Sequence, residues 1–240
     1  EEANRCIKKC ADAGMKMCGT VSTIWGSPIG GATELKDAVE FSKRWLEIGA
    51  HDIEHADHDG SASAADVYRY FSMVLDEMPD PELHIAHFHE TKRVASASVL
   101  AALQAGITHF EATLGGLGGQ PANFLDDCPT KGTGEYYYKD PRYVGLICLE
   151  DTLVQFDEMG IEHGYDVDRI LWIGKQMEKT IGRRLRSDAV INGRTLKEGH
   201  IQFARPGLKQ RKKTLKENPE QKIPNRWKAK AVLPEKYRYL

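Results

Sequence analysis

Two histidines separated by one residue close an apolar segment of this 240-residue chain. They are His87 and His89, at the end of the run from Leu83 to Glu90. Alternate side chains of a β-strand point to the same face, so the two imidazoles project together. Neighbouring imidazoles at the end of a buried strand are suitable ligands for a divalent cation. The spacing therefore predicts that His87 and His89 bind a metal ion, with a hydrogen-bonded pair of structural histidines as the alternative.

A glycine-rich segment follows the histidine pair and is the second candidate for chemistry. Its glycines either permit a tight turn or let the backbone approach an acyl or carboxylate group closely. We favour close approach, and predict that Gly116, Gly118 and Gly119 bind substrate. Asp57, at the end of an earlier strand, is either a turn residue or an acid/base group.

The elements that would position these residues alternate between strand and helix. Apolar periodicity predicts helices over 2–13, 32–49, 61–78 and 93–105, and strands within 15–25, 51–56, 83–88 and 107–114. This order is typical of an α/β fold with four parallel strands and right-handed crossovers. In such folds binding sites gather at the carboxyl ends of the strands, where the polar and glycine-rich residues occur.

The second half of the chain has a different pattern. A long loop over 120–143 precedes two predicted helices, 148–160 and 166–186, and a polar, basic tail begins near residue 199. We expect three regions: an α/β region over 1–165, a helical segment over 166–198 and the tail over 199–240. The tail is interpreted as solvated rather than as a nucleic-acid-binding arm.

Composition limits the function classes. Hydrophobic residues make up 41% and charged residues 28%, as in ordinary globular proteins, and the net charge is −2. We therefore expect neither nucleic acid nor a membrane as partner. The 5 cysteines show no paired spacing, which indicates reduced thiols in a cytoplasmic or matrix-like compartment, and we expect a cytoplasmic location.

Several segments together resemble the 3-hydroxy-3-methylglutaryl-CoA lyases and their relatives, the DRE-TIM metallolyases. The resemblance covers roughly residues 1–165. It is carried by His87-Phe88-His89-Glu90-Thr91, the helix Ser96 to Gly106, Phe110 to Gly119, Glu54-His55-Ala56-Asp57, and Leu149-Glu150-Asp151-Thr152-Leu153 running to Met159-Gly160-Ile161.

The resemblance implies a (β/α)8 TIM barrel, of which this chain carries about the last four β/α units. It also implies a divalent metal, Mg²⁺ or Mn²⁺, held by an Asp of strand 1, the two histidines and an Asn. The implied activity is retro-Claisen cleavage of a carbon–carbon bond in a 3-hydroxy acyl-CoA or a related hydroxy acid. Asp57, His87 and Gln120 are the implied catalytic residues, with Asp57 assisting proton transfer.

Departures from the family pattern point to a divergent substrate or an incomplete site. No Asp-Arg-Glu tripeptide is present. Gln120 stands where the lyases have a reactive Cys, and Leu146 stands where they have the Asn ligand. Asn123 of the intervening loop is the predicted substitute and a further substrate-binding residue, with Glu135 as an alternative.

Two other functions stay open. One is a Claisen-type acyltransferase synthase of the same superfamily, making a 2-alkylmalate-like product. The other is an incomplete fragment or pseudoenzyme. Four parallel strands with an open edge would expose unpaired backbone, so we expect the missing half-barrel, or a homo-oligomer partner, to complete the sheet.

Overall fold

Four parallel strands form the centre of this computed structural model, which describes residues 1–26, 31–119, 124–125, 128–129 and 144–194. The strands lie in the order β1 Cys18–Val21, β2 Asp52–Asp57, β3 His84–Phe88 and β4 His109–Glu111. Each strand pairs in parallel with the next one along the chain. The predicted α/β sheet is confirmed.

Helices connect the strands and follow them. They are α1 Glu2–Asp12, α2 Leu35–Glu47, α3 Ala64–Glu77, α4 Ala95–Ala105, α5 Leu149–Met159, α6 Val167–Ile181 and α7 Asp188–Asn192. Two short strands, β5 Phe124–Leu125 and β6 Cys128–Pro129, pair antiparallel in the loop between β4 and α5. None of the helices in the described ranges combines the length and apolar character needed to cross a membrane.

Local sequence explains where the central helices begin and end. Ser63 precedes α3, and its hydroxyl accepts a hydrogen bond from Asp66 N at 3.2 Å, which satisfies one free amide of the first turn. Gly106 ends α4 with a φ of 111°, a conformation that side-chain-bearing residues disfavour. The helix ends therefore follow ordinary capping signals.

The core lies between the sheet and the helices α2 to α4. Ile53 of β2 and Phe88 of β3 are fully buried against Phe71 and Val74 of α3. Alternation along the strands assigns the opposite faces of β2 and β3 to residues such as Glu54 and His87. The apolar face anchors the sheet, and the polar face carries the candidate site.

Two further histidines belong to the core. His55 is fully buried, with its Nδ1 2.8 Å from Tyr70 Oη and its Nε2 3.0 Å from His84 Nδ1. His84 Nε2 lies 3.0 Å from Met78 O, which fixes its proton there. The Tyr70 hydroxyl then donates to His55 Nδ1, and His55 Nε2 donates to His84 Nδ1. Both imidazole rings are therefore neutral. Burial lowers the pKa of His55 well below its usual value and also lowers the pKa of His84.

The helices after the long loop join the same compact unit, which spans Glu1–Gly193. Asp151 of α5 accepts hydrogen bonds from Asp188 N at 3.1 Å and Ala189 N at 2.8 Å, so it caps α7. Gly174 of α6 gives room to Glu150, since an added Cβ would lie 2.5 Å from Glu150 Oε1.

Most predicted elements are confirmed to within a few residues, with two shorter than expected. The strand predicted over 107–114 covers only β4, and the helix predicted to 186 ends at Ile181, before Gly182 with a φ of 69°. The division at residues 165 and 198 stays a prediction. The tail over 199–240 lies outside the described residues.

Candidate metal centre

The two histidines of the His-x-His segment face each other at the carboxyl end of β3. Their Nε2 atoms lie 3.2 Å apart and their ring centroids 5.2 Å apart. His89 lies just beyond the strand, where it forms an antiparallel bridge with Leu146. Strand alternation thus brings the two imidazoles together, as the spacing predicts.

The outer nitrogen of each ring has a fixed partner. His87 Nδ1 lies 3.0 Å from Glu54 Oε1 on β2 and 2.8 Å from Glu111 Oε2 on β4. His89 Nδ1 lies 2.6 Å from Val144 O, to which it donates. Glu54 is held in turn, because the Thr20 hydroxyl donates to its Oε2 at 3.2 Å. These acceptors keep a proton on both Nδ1 atoms and turn both Nε2 atoms toward each other.

This arrangement makes the two rings electrostatically unequal. Burial lowers the pKa of His87, but its hydrogen bonds to Glu111 and Glu54 outweigh burial and raise the pKa to about 9. Burial lowers the pKa of His89 to about 4, and the nearby charge of His87 acts in the same direction. His87 therefore carries a proton on Nε2 and donates it in a hydrogen bond to the unprotonated Nε2 of His89.

The same geometry fits a divalent metal ion in place of that proton. Metal-bound histidines usually donate their other N–H to a carboxylate or a backbone carbonyl, as both rings do. Adjacent nitrogen ligands about 2.1 Å from an octahedral ion are about 3.0 Å apart, close to the observed separation of the Nε2 atoms. His87 and His89 are thus suited to hold the ion through Nε2.

Glu54 and Glu111 are functional candidates that sequence reasoning missed. Together with His87 they offer ligand atoms within 4.8 Å of one another, so this trio is a second possible donor set. Both carboxylates face Nδ1 of His87, opposite the Nε2 atom that faces His89. Strand alternation along β2 places Glu54 on the face opposite His55 and Asp57, and this signal could have identified Glu54. No comparable signal in the sequence indicated Glu111.

Asp57 is not brought into the histidine cluster. Its Oδ1 accepts from Ser61 N at 3.0 Å and its Oδ2 accepts from Ala62 N at 3.1 Å, so the carboxylate closes the turn after β2. Burial raises the pKa of Asp57 to about 6, against the lowering effect of these two amides. The catalytic role of Asp57 stays a prediction, and its contacts support a positioning role.

The turn that Asp57 closes carries His58 to the metal centre. The ring centroid of His58 lies 6.1 Å from that of His89. Burial lowers the pKa of His58, and the charge of His87 contributes in the same direction. A third imidazole therefore lies beside the two predicted from the His-x-His spacing, in ring contact with His89.

The glycine segment forms a turn after β4, and its members differ in their contacts. Gly115 N donates to Glu150 Oε2 at 2.6 Å, and Gly116 N donates to Thr113 O at 3.2 Å. Gly118 has a φ of 128°, and an added Cβ would lie 3.3 Å from Leu146 Cδ1; no atom of the described residues lies within 4 Å of such an atom at Gly119. Gly116 is held within the turn, whereas Gly119 has no close neighbour in the described part of the chain.

Gln120 and Asn123, the other predicted contacts, lie outside the described residues. Leu146, at the position of the family's Asn, forms a backbone bridge with His89, and its side chain carries no ligand atom.

A polar cavity of about 220 Å³ lies between the beginnings of α4 and α5. Gly116, Cys148, Arg93 and Arg186 are among its lining residues. Arg93 is paired with Asp188 at 3.0 Å, and burial raises the pKa of the Cys148 thiol, so that thiol stays protonated. The cavity adjoins the glycine segment and gives it a polar neighbour.

Comparison with known proteins finds one family and a consistent set of relatives. The HMGL-like family model matches residues 1–176. Hydroxymethylglutaryl-CoA lyase of Pseudomonas mevalonii is 26% identical over 183 residues, which are 76% of this chain and 55% of that protein. (R)-citramalyl-CoA lyase of Chloroflexus aurantiacus is 30% identical over 165 residues, 69% of this chain and 46% of that protein.

A solved structure agrees with the sequence matches. An HMG-CoA lyase from Acinetobacter baumannii, in complex with coenzyme A and 3-methylmalate, superposes with a TM-score of 0.68 at 28% identity. The match covers 82% of this chain and 59% of that one. This structural match confirms the TIM-barrel fold class. The chain spans about half the length of the curated relatives it matches. Those relatives include both cytoplasmic and mitochondrial lyases.

Proposed function

This chain belongs to the HMGL-like family, and from that premise we propose that it carries the metal-binding part of a carbon–carbon lyase. The proposed substrate is a 3-hydroxy acyl-CoA or a related hydroxy acid. The observation that supports this most is the pair of Nε2 atoms of His87 and His89, 3.2 Å apart with both Nδ1 atoms engaged. A pair of histidines with a purely structural role does not need two carboxylates and a carbonyl that orient both Nε2 atoms toward each other.

Each residue around the proposed ion has a distinct task. His87 and His89 hold the ion, Glu54 and Glu111 orient His87, and Val144 O orients His89. When bound, a divalent ion polarises carbonyl and hydroxyl oxygens and stabilises enolate charge, which is the chemistry a retro-Claisen cleavage requires. Mg²⁺ and Mn²⁺ are the ions that the family resemblance implies.

The substrate would lie against the glycine segment. Gly118 and Gly119 allow close approach because neither carries a side chain, and none of the described residues would contact a Cβ at Gly119. We propose that Gln120 and Asn123 add polar contacts there. Gln120 cannot perform the acid chemistry of a thiol, so the proton for the enolate has to come from another group or from water.

The chain also leaves part of the sheet to other residues. We propose that strands beyond these four complete the barrel and supply the remaining oxygen ligands, either from the same polypeptide or from a partner subunit. They would add at the two ends of the described sheet, beside β1 and beyond β4, because a barrel closes only when both edges are paired. The cytoplasmic location also stays a proposal.

A product assay tests the lyase function. The purified chain, together with the polypeptide that completes its barrel, is loaded with Mg²⁺ or Mn²⁺ and offered 3-hydroxy-3-methylglutaryl-CoA and citramalyl-CoA, and the release of a shorter acyl-CoA is followed. We expect release that stops on chelation and in His89→Ala. Release of free CoA from acetyl-CoA and a 2-oxo acid would favour the Claisen-type synthase instead. Metal binding without either reaction would favour an incomplete site or pseudoenzyme.

A further inference from the structure

A fully buried carboxylate contacts the backbone of the glycine segment, residues 115–119. Glu150, in the first turn of α5, has no exposed surface, and its Oε2 accepts a hydrogen bond from Gly115 N at 2.6 Å. Resting on the proposed lyase function, we propose that Glu150 is a positioning residue for the substrate. Its carboxylate holds the glycine segment in the conformation that receives the acyl group.

The hydrogen bonds of Glu150 are incomplete for a side chain whose only task is to fill the core. Its Oε2 also accepts from Cys148 Sγ at 3.2 Å, but none of the described residues donates to Oε1. A buried carboxylate with one oxygen left without a donor costs free energy, of which the N-terminus of α5 offsets only a part. An apolar side chain of similar volume would fill this space without that cost. The carboxylate is therefore best explained by what its bonded oxygen holds, which is Gly115 N.

The glycine segment needs partners to keep one conformation. Gly115 and Gly116 have φ angles of 57° and 63°, and glycine populates such angles about as readily as negative ones, so the sequence alone does not select them. The Gly115 amide donates to Glu150, and the Gly115 carbonyl accepts from Arg186 N at 3.2 Å. Leu185 fills the space that a Cβ on Gly115 would occupy. Gly115 is thus held from two sides, and Glu150 supplies the bond to its amide.

The glycine segment adjoins the metal centre through one stretch of backbone. Gly116 O lies where a Cβ on Gly145 would be, so the two backbones are in direct contact. The next residue, Leu146, forms a backbone bridge with His89. A displacement of the glycine segment would therefore change its distance from His89. Glu150 sets that distance, and with it the position of the acyl group relative to the ion.

Hydrogen exchange of the Gly115 amide in the 240-residue chain, measured by NMR, tests the bond directly. Glu150→Met keeps the volume of the side chain and removes the acceptor. We expect the amide to exchange about 10- to 100-fold faster in this variant, as the loss of a hydrogen bond to a charged group implies. Glu150→Gln retains an acceptor oxygen and should recover most of the protection. Glu158→Met, at an exposed position of the same helix, is the matched control and should exchange like the wild type.

Substrate affinity tests the positioning role itself. Each variant is combined with the polypeptide that completes the barrel, and the KM for 3-hydroxy-3-methylglutaryl-CoA and citramalyl-CoA is measured together with Mn²⁺ affinity. We expect Glu150→Met to raise KM about 10- to 100-fold and Glu150→Gln to return it toward the wild-type value. Mn²⁺ affinity should be equal in all variants, because the metal ligands are unaltered, and circular dichroism checks folding.

Two results would overturn the role of Glu150 while the proposed function stands. One is an unchanged exchange rate of the Gly115 amide in Glu150→Met, and the other is faster exchange with an unchanged KM. If the wild-type complex cleaves neither acyl-CoA, the proposed function fails, and Glu150 has no substrate to position.

Discussion

At the scale of single residues, the proposed centre depends on which nitrogen of each imidazole is left without a proton. His87 and His89 are found readily from sequence, because strand alternation alone brings them together. What sequence reasoning misses is the pair of carboxylates on His87 Nδ1, since Glu54 and Glu111 are 57 residues apart in the chain and meet only through strand register. Those carboxylates turn a generic pair of histidines into an oriented pair of ligands.

The variant Glu111→Gln tests this orienting role. An amide can still contact Nδ1 but carries no charge, so we expect metal affinity to fall about 10- to 100-fold with an unchanged stoichiometry of one ion. Isothermal titration with Mn²⁺ measures both quantities. Glu82→Gln, at an exposed carboxylate near His109, is the control. Complete loss of binding in Glu111→Gln would instead make Glu111 a direct ligand, within the trio it forms with Glu54 and His87.

At the scale of elements, the turns decide which predicted residues reach the site. The periodicity of the sequence predicts the four strands and most helices correctly, because apolar faces and caps are local signals. It cannot predict that Asp57 closes a turn, since that depends on where Ser61 and Ala62 direct their amides. For the same reason the sequence does not show that His58, in this turn, lies beside His89.

The two core histidines of β2 and β3 predict how stability depends on pH. The pKa of His55 and of His84 is lowered in the folded state, so the unfolded chain binds more protons below its ordinary histidine pKa of about 6.5. Their contribution to stability is therefore complete above that pH and is lost as the pH falls, by up to about 1.4 kcal/mol per pH unit for each ring.

Comparison of His55→Gln with the wild type isolates this effect. Urea unfolding measures the free energy of unfolding of both proteins at pH 7.5 and 5.5. The difference between the wild type and His55→Gln should be about 1 kcal/mol smaller at pH 5.5. His51→Gln, an exposed histidine, should leave the difference between the two pH values unchanged. If the difference in unfolding free energy between the wild type and His55→Gln were equal at both pH values, His55 would not be buried in its neutral form.

Packing between α5 and α6 predicts a second effect on stability. An alanine at 174 would favour the helix by about 1 kcal/mol relative to glycine, but its Cβ would lie 2.5 Å from Glu150 Oε1 and 2.8 Å from Val190. Overpacking typically costs about 1–3 kcal/mol, so we expect Gly174→Ala to destabilise the protein on balance. Gly119→Ala, with open space around it, should change the unfolding free energy by less than about 0.5 kcal/mol. Thermal melts distinguish the two; a stabilised Gly174→Ala would refute the close contact.

At the scale of the whole molecule, the chain presents four adjacent strands of a TIM-barrel-class sheet and spans about half the length of its curated relatives. The polar face of that sheet carries Glu54, His87 and Glu111, of which the Glu111 side chain is 43% exposed. A closed barrel would enclose this face, so completion of the sheet would shield the centre from water as well as add ligands.

Among the described residues no strand pairs with the outer edge of β1, and such an edge predicts association. We expect sedimentation velocity of the 240-residue chain to show species larger than a monomer that grow with concentration, because unpaired strand edges are sites of strand addition. Addition of a polypeptide that supplies the complementary strands should replace these species by one defined complex. A monomer at every concentration would indicate that the edge of β1 is covered by other parts of the chain.

Metal analysis after equilibrium dialysis shows whether His87 and His89 bind an ion. Dialysis against Mn²⁺ and, separately, Zn²⁺ should leave about one ion per wild-type chain and none above background in His87→Ala or His89→Ala. His109→Ala, at an exposed histidine at the start of β4, should retain the wild-type amount. Equal metal content in the wild type and both site variants, or none in the wild type with either ion, would contradict a metal centre at His87 and His89.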